Sequence, residues 1–200
     1  MIRPSKSSKI GILSGVFDPV HVGHLFMAYL AMETVPLDSI WFIPTNVPPH
    51  KQKPQASYEN RTQMLKLALQ IEPRFVVAEL EGSSTPSYSF ETLLKVRALI
   101  GEKPYFIIGS DEWENLHLWK HYDILVENAI FVVIPRGSII TDRPDATAIF
   151  TEKTPMNISS TYIRQRCEEE KPIKLLVPEP VQSFIESHNL YKIPFYKGGE

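Results

Sequence analysis

The sequence predicts an α/β fold, a Rossmann-like doubly wound parallel sheet with helices on both of its faces. Three features of the pattern lead to this prediction. Short apolar runs alternate along the chain with segments of helical periodicity, as in a sheet built from strand–helix–strand units. Most of these runs are apolar without interruption, which is typical of parallel strands buried on both faces. The 17 prolines lie mostly between the periodic segments, where they mark loops.

Each element is predicted from its own run of residues. The strand candidates are Ile10–Leu13, Ile40–Pro44, Phe75–Leu80, Tyr105–Ile108 and Ile130–Ile134. The helix candidates are His24–Thr34, Tyr58–Gln70, Phe90–Ile100, a stretch within Glu112–Val126, Ser160–Glu169 and Glu179–His188. We expect one domain over residues 9–191, with a small helical part at about residues 158–191 and flexible tails at residues 1–8 and 192–200.

The composition is that of a globular chain rather than of a disordered or membrane-spanning one. Hydrophobic residues make up 43% of the 200 residues, and the longest unbroken apolar run, Leu25–Met32, is far too short to span a bilayer. The net charge of −2 disfavours nucleic acid and anionic membranes as partners. The single cysteine, Cys167, excludes an internal disulfide and favours a reducing, cytoplasmic location. We therefore expect small-molecule partners, with assembly into a homo-oligomer left open.

Ligands of doubly wound sheets bind beyond the carboxyl ends of the strands, so the residues that follow each strand are the first candidates for a site. The sequence has no Walker A loop, no G-x-G-x-x-G turn, no nucleophile elbow and no Cys/His metal spacing. Phosphate binding would therefore depend on a few well-placed cations and on helix N-termini.

The segment after the first strand candidate, residues 14–24, reads SGVFDPVHVGH. His21 and His24 are three residues apart, so they share one face at the start of the next helix. The N-terminus of a helix favours an anion, and two imidazole donors there would complete a clamp for a phosphate. A pair of capping or surface histidines is the simpler alternative, but the flanking Gly-x-Phe-Asp-Pro favours the binding site.

A second segment, residues 158–166, reads ISSTYIRQR and opens a helix late in the chain. Its three hydroxyl residues are typical helix caps, but no Glu or Gln follows at the spacing that closes a capping box. Arg164 adds a cation beside this open helix end. A second anion site and a plain cap with a solvated arginine fit these residues equally well.

Together the two segments resemble the nucleotidyltransferase superfamily, and further segments narrow the resemblance to the nicotinate-nucleotide adenylyltransferase family. The resemblance covers about residues 9–191, nearly the whole chain. The supporting segments are GxFDPxHxGH (15–24), PPHK (48–51), SYS (87–89), ETL (91–93), GSD (109–111), LxxW (116–119), ISSTYIR (158–164), LVP (176–178) and LY (190–191).

The resemblance implies a reaction in which nicotinate mononucleotide attacks the adenylyl group of ATP and pyrophosphate leaves, with Mg²⁺ on the triphosphate. It implies that the catalytic residues His21, His24 and Arg164 hold the ATP phosphates. Further ATP-binding residues that it implies are Gly15, Val16, Phe17, Gly109, Asp111, Ser159, Ser160 and Thr161. The residues that would contact the mononucleotide are Lys51, Ser87, Tyr88, Ser89, Trp119 and Arg136. No side chain is expected to bind a metal ion.

Three of these residues also have plainer interpretations from sequence alone. Asp111 fits a helix cap, Trp119 fits core packing, and Lys51 fits a solvated loop charge. The chain also departs from the family pattern, because Ser14 and Val16 replace a glycine and a hydroxyl residue that are usual near the phosphates.

Other functions stay open at this stage. Nicotinamide mononucleotide or phosphopantetheine could replace nicotinate mononucleotide as the acceptor, although this chain has a PPHK loop that the phosphopantetheine enzymes lack. An aminoacyl-tRNA synthetase fragment fits poorly, since no Lys-Met-Ser-Lys-Ser loop occurs. A non-catalytic nucleotide-binding module is disfavoured because both histidines and Arg164 are retained.

Overall fold

The computed structural model describes residues 8–46, 53–81, 88–136, 143–153 and 156–192. Its strands are β1 (Ile10–Gly15), β2 (Ser39–Pro44), β3 (Phe75–Val77), β4 (Tyr105–Gly109), β5 (Ile130–Ile134) and β6 (Ala148–Phe150). They form a six-stranded sheet in the order β3-β2-β1-β4-β5-β6, and every pairing between them is parallel. The predicted doubly wound sheet is confirmed, and β6 is an edge strand that the sequence did not predict.

Helices connect the strands and cover the sheet. They are α1 (Val22–Thr34), α2 (Tyr58–Ala68), α3 (Ser89–Ile100), α4 (Ser110–Glu114), α5 (Tyr122–Asn128), α6 (Ser160–Glu168) and α7 (Glu179–Ser187). The predicted helical stretch within Glu112–Val126 contains the ends of two helices, with a 3-10 turn at Leu116–Leu118 between them. His121 separates α5 from that turn, because its φ of 55° is left-handed and cannot continue a helix.

Side chains that alternate along the central strands build a core on each face of the sheet. Leu13 and Phe42 belong to the core that α1, α2, α6 and α7 cover, whereas Ile12 and Trp41 belong to the one that α3, α4 and α5 cover. Both faces of the sheet are therefore shielded from water, which explains why the strand sequences are continuous apolar runs. None of the helices in the described ranges is both long and apolar enough to traverse a bilayer.

The strand order changes direction between β1 and β4, which places a crevice at the carboxyl ends of these two strands. In the register of the sheet, Gly15 pairs with Pro44 and Gly109 pairs with Ile134, so the strands end at the same edge. The loops that carry the predicted site residues leave the sheet at this edge.

Candidate active site

A cleft of about 430 Å³ opens beyond the carboxyl end of β1. Its walls come from parts of the chain that are far apart in sequence: the loop after β1, the start of α1, the segment Lys53–Gln55, Arg136 after β5, and the start of α6. Of the predicted residues, the cleft brings together Gly15, Val16, Phe17, His24, Arg136, Ser160, Thr161 and Arg164. Residues of both predicted anion-binding motifs therefore line one cleft.

The two histidines of the motif stack on each other at the N-terminus of α1. Their ring centroids are 3.7 Å apart, and the backbone N–H of His21 donates to Nδ1 of His24 at 3.2 Å. His21 itself is the N-cap residue of the helix. Since Nδ1 of His24 accepts a hydrogen bond, the neutral ring carries its proton on Nε2. The helix start thus fixes both the orientation and the tautomer of His24.

His21 is buried, with 4% of its surface exposed. Burial, with a smaller contribution from the positive charge of Arg136, lowers the pKa of His21 to about 3. The ring is therefore neutral at pH 7, and its Nδ1 has no hydrogen-bond partner among the described residues. Gly23 allows the ring to lie here, because a Cβ at that position would be 3.0 Å from Nδ1 of His21.

The loop after β1 bends sharply and turns Phe17 inward. Phe17 has a φ of 50°, and its ring packs edge-on against His24 with centroids 5.0 Å apart. A Cβ at Gly15 would lie 3.3 Å from this ring, so the glycine leaves room for it. Gly15, Val16 and Phe17 all line the cleft, as the sequence predicted.

The start of α6 is joined to the same loop. The hydroxyl of Ser160 donates to the carbonyl oxygen of Pro19 at 2.8 Å, and the guanidinium of Arg164 donates to the carbonyl oxygen of Asp18 at 2.7 Å. Arg164 also donates to the Thr161 hydroxyl at 3.2 Å, while its buried Nε–H has no partner within the described ranges. Ser159 differs from its neighbours, because its exposed side chain caps the helix by accepting from Tyr162 N–H. Among the residues that line this cleft, Ser160, Thr161 and Arg164 represent the motif.

Arg136 brings the end of β4 into contact with the cleft. Its guanidinium lies 3.5 Å from the Asp111 carboxylate and donates to Sδ of Met27 at 3.0 Å. Gly109 leaves room for this pair, because a Cβ there would overlap the Asp111 carboxylate and lie 3.1 Å from Nε of Arg136, so both side chains would have to shift. Gly109 and Asp111 therefore contact the site through Arg136 rather than as lining residues of the cleft.

Comparison with known proteins places the chain in a family. A family model described as cytidylyltransferase-like matches residues 12–166. A curated relative from Coprothermobacter proteolyticus, named probable nicotinate-nucleotide adenylyltransferase, is 58% identical over 191 residues, which cover 96% of this chain and 99% of the relative. The chain belongs to the nicotinate-nucleotide adenylyltransferase family. The resemblance predicted from the sequence motifs is thereby confirmed.

Two further matches agree with this family. The nicotinate-nucleotide adenylyltransferase of Bacillus subtilis is 39% identical over 191 residues, covering 92% of this chain and 98% of the relative. A solved structure of Plasmodium falciparum nicotinic acid mononucleotide adenylyltransferase complexed with NaAD has a TM-score of 0.76 at 22% identity, covering 92% of this chain and 98% of that chain. At this identity the structural likeness shows the fold, and it confirms the predicted Rossmann-like architecture.

Of the residues predicted to bind the mononucleotide, Arg136 lines the cleft, whereas Tyr88, Ser89 and Trp119 are not among its lining residues. Trp119 is half-buried and packs edge-on against Phe106, with ring centroids 6.2 Å apart. Tyr88 is the N-cap residue of α3, Ser89 is its first residue, and the ammonium of Lys120 lies 4.0 Å from the centre of the Tyr88 ring. The rings of Trp119 and Tyr88 therefore each contact another side chain, Phe106 and Lys120 respectively. The other two predicted residues, Lys51 and Ser87, lie outside the described residues.

One residue that holds the site together was not predicted. Arg61 is only 1% exposed, and all three nitrogens of its guanidinium donate to backbone carbonyls. It donates to the carbonyl oxygens of Val16 (2.6 Å), Thr45 (2.8 Å), Asn46 (3.2 Å) and Ala56 (3.3 Å). A signal for it did exist, because Arg61 shares a helix face with the apolar residues three, four and seven positions later.

Asp18 is the second such residue, and it joins three parts of the chain. Its buried carboxylate accepts from the backbone N–H groups of Gln55 (2.8 Å) and Ala56 (3.1 Å) and from the hydroxyl of Tyr191 (2.8 Å). Burial and the adjacent Asp18 carboxylate raise the pKa of Tyr191, so its hydroxyl remains a donor. Only long-range contacts reveal this arrangement, although Asp18 itself belongs to the motif.

Proposed function

We propose that this member of the nicotinate-nucleotide adenylyltransferase family transfers the adenylyl group of ATP to nicotinate mononucleotide, giving nicotinate adenine dinucleotide and pyrophosphate. The observation that carries the proposal is the convergence of His24, Thr161 and Arg164 on one cleft at the switch point of the sheet. The names of the relatives supply the acceptor, since a phosphate clamp by itself would suit several adenylyl acceptors.

The acceptor phosphate is already an anion at pH 7, so the reaction needs no general base and no covalent intermediate. Catalysis then consists of placing the two substrates in line and neutralising the charge that builds up on the leaving pyrophosphate. In our proposal, Nε2–H of His24 and the guanidinium of Arg164 donate to phosphate oxygens. The position of Arg164 on the wall of the cleft supports this role.

His21 has a different part in this proposal. Because its pKa is lowered to about 3, the ring contributes hydrogen bonding and shape at pH 7 rather than positive charge. Stacking on His24 lets it hold the second imidazole in position. The positive charge that offsets the phosphates must therefore come from arginine, lysine and bound metal.

The remaining predicted residues would contact the organic parts of the substrates. Gly15, Val16 and Phe17, together with Gly109 and Asp111 near the end of β4, would contact the adenosine of ATP, and the hydroxyls of Ser159, Ser160 and Thr161 its phosphates. Trp119 would stack on the pyridine ring, beside Tyr88 and Ser89 at the start of α3. Lys51, Ser87 and Arg136 would complete the contacts with the carboxylate and phosphate of the mononucleotide.

Mg²⁺ would arrive on the polyphosphate rather than bind to a resident site. Among the residues that the structure describes, no three His, Cys, Asp or Glu side chains come together as a metal site. Both carboxylate oxygens of Asp18 already accept hydrogen bonds, and Glu112 accepts from the backbone N–H of Gly109 at 3.2 Å. Bound to phosphate and water, the ion would supply positive charge that offsets the charge on the leaving group. We also propose a reducing cytoplasm as the location, on the single, buried Cys167.

The test is pyrophosphate release with ATP and Mg²⁺, run in parallel with nicotinate mononucleotide, nicotinamide mononucleotide and phosphopantetheine. We expect strong release with nicotinate mononucleotide and at most weak release with the other two. Release with both mononucleotides would replace the proposal by a dual-specificity enzyme. Release with phosphopantetheine alone would refute the proposal. So would the absence of release with all three acceptors from protein that still binds ATP.

A further inference from the structure

Lys53 lies on the wall of the cleft but has no role in the predicted site. It lines the same space as His24, Thr161 and Arg164, and its side chain is exposed to solvent there. The sequence pointed to Lys51, two positions earlier, which lies outside the described residues. Lys53 is therefore a cation of the cleft that the predicted site does not include.

Unlike the other cations at the cleft, the ammonium of Lys53 has no partner among the residues that the structure describes. The guanidinium of Arg136 is engaged with Asp111 and Met27, and that of Arg164 with the carbonyl oxygen of Asp18. No ion pair or hydrogen bond between described residues uses the Lys53 side chain, whereas Lys66, Lys153 and Lys171 each contact a carboxylate. A ligand can bind Lys53 without first breaking an internal contact.

Hydrogen bonds hold the backbone that follows Lys53 in place, while the Lys53 side chain is exposed to solvent. Asp18 accepts from the N–H groups of Gln55 and Ala56, and Arg61 donates to the carbonyl oxygen of Ala56. Pro54 restricts the backbone between these anchors and Lys53. The loop after β1, which carries Asp18, thus sets the distance between Lys53 and the phosphate clamp, so little backbone entropy is lost when Lys53 binds.

The charges in the cleft indicate which kind of ligand Lys53 binds. The bound polyphosphate carries several negative charges, while His21 is neutral at pH 7 because burial lowers its pKa to about 3. Glu112 at the cleft adds negative charge, although Gly109 N–H partly offsets it. An exposed ammonium on the cleft wall is a compact point charge that suits the oxygens of such a polyphosphate.

We propose that Lys53 binds the polyphosphate of ATP and then the pyrophosphate that leaves, an inference that rests on the proposed function. In that reaction a phosphate oxygen of the acceptor forms a bond to the α-phosphorus of ATP. The bond from this phosphorus to the bridging oxygen breaks, and its electron pair leaves with pyrophosphate. Lys53 keeps its proton throughout and stabilises the leaving group by charge alone.

The test compares Lys53→Met and Lys53→Arg with a matched control, Lys103→Met. Lys103 is also exposed but lies two residues before the start of β4, at the opposite, amino edge of the sheet. We expect Lys53→Met to raise the KM for ATP about tenfold and to weaken inhibition by pyrophosphate about as much, because a charge-assisted hydrogen bond is lost. The KM for nicotinate mononucleotide should stay the same, Lys53→Arg should recover most of the loss, and Lys103→Met should match the wild type.

Two results would overturn the assignment of Lys53 to the polyphosphate. One is an unchanged KM for ATP together with unchanged pyrophosphate inhibition in Lys53→Met. The other is a rise confined to the KM for the mononucleotide, which would assign the lysine to the phosphate of that substrate. Calorimetric titration of wild type and variant with pyrophosphate and with ATP gives the same comparison without turnover. A wild-type chain that binds both but releases no pyrophosphate from ATP would refute the proposed function alone.

Discussion

The phenolic hydroxyl of Tyr191 donates a 2.8 Å hydrogen bond to Oδ1 of Asp18, 173 residues away along the chain. Both side chains are buried, and the backbone oxygen of the same aspartate accepts from Arg164. The segment after α7 is therefore fastened to the loop that follows β1, next to a cation of the cleft. Contacts between the two ends of the domain, rather than the motif alone, fix the geometry of this loop.

Tyr191→Phe removes one donor from the buried Asp18 carboxylate and should destabilise the fold. We expect the free energy of unfolding, measured by urea denaturation, to fall by about 1–3 kcal/mol. We also expect a higher KM for ATP, because Asp18 positions the loop and the segment that carries Lys53. Tyr162→Phe is the control, since Tyr162 is exposed and, within the described ranges, its hydroxyl accepts only from Arg166. Its loss should cost under about 0.5 kcal/mol. Equal losses in the two variants would contradict a special role for the Tyr191 contact.

Arg61→Met should be among the most destabilising substitutions in the chain. It removes the donor of the buried Ala56 carbonyl and of the half-buried carbonyls of Val16, Thr45 and Asn46. Each unsatisfied buried acceptor costs about 1–3 kcal/mol, so we expect a loss of several kcal/mol in urea unfolding. The matched variant is Arg74→Met, because Arg74 pairs with Glu72 at the surface and its removal should cost about 1 kcal/mol or less. A loss in Arg61→Met no larger than in Arg74→Met would show that water replaces the guanidinium.

The architecture could be predicted because the signals for it are local. Strands such as β5 are continuous apolar runs, and their boundaries were predicted correctly from the sequence. In contrast, β6 is short and half-exposed, and only its pairing with β5 makes it a strand.

The candidate site shows the same difference between local and long-range signals. His24 and Arg164 were predicted as site residues because they stand in local motifs. Tyr191 was noted only as part of the LY segment, and its role is evident only from its contact with Asp18, 173 residues away.

His21 should make the stability of the protein depend on pH. Its pKa is lowered to about 3 in the folded chain, whereas an unfolded histidine titrates near 6.5. Between these two pKa values only the unfolded chain binds the proton, so acid favours unfolding. The contribution of His21 to the free energy of unfolding is therefore largest above pH 6.5 and falls by about 1.4 kcal/mol per pH unit below it. His21→Asn keeps a residue suited to the helix N-cap but does not titrate.

The measurement for His21 is urea unfolding of both proteins at about pH 7 and about pH 5. The carboxylates that titrate in this range are common to both, so their effects cancel in the comparison. We expect the wild-type chain to lose about 2 kcal/mol more than His21→Asn over this interval. Parallel pH dependence in the two proteins would show that the folded chain binds a proton at His21.

Gly23→Ala should separate activity from stability. Alanine is favoured over glycine in a helix by about 1 kcal/mol, but its Cβ would lie 3.0 Å from Nδ1 and 3.1 Å from Cε1 of His21. The two effects oppose each other, so we expect little change in urea unfolding. The His21 ring, however, must move, and with it the stacked ring of His24. We therefore expect kcat/KM for ATP to fall by about tenfold or more, since displacing a positioning contact by a fraction of an ångström disturbs alignment with the phosphate.

A double-mutant cycle identifies the cause of that loss in Gly23→Ala. Asparagine at position 21 is smaller than histidine, so the added methyl group no longer crowds a ring. If crowding of His21 is the mechanism, Gly23→Ala will reduce kcat/KM strongly in the wild-type background and much less in the His21→Asn background. Losses that multiply across the two backgrounds would instead show that Gly23 acts independently of His21, for example through close approach of the helix backbone to a phosphate.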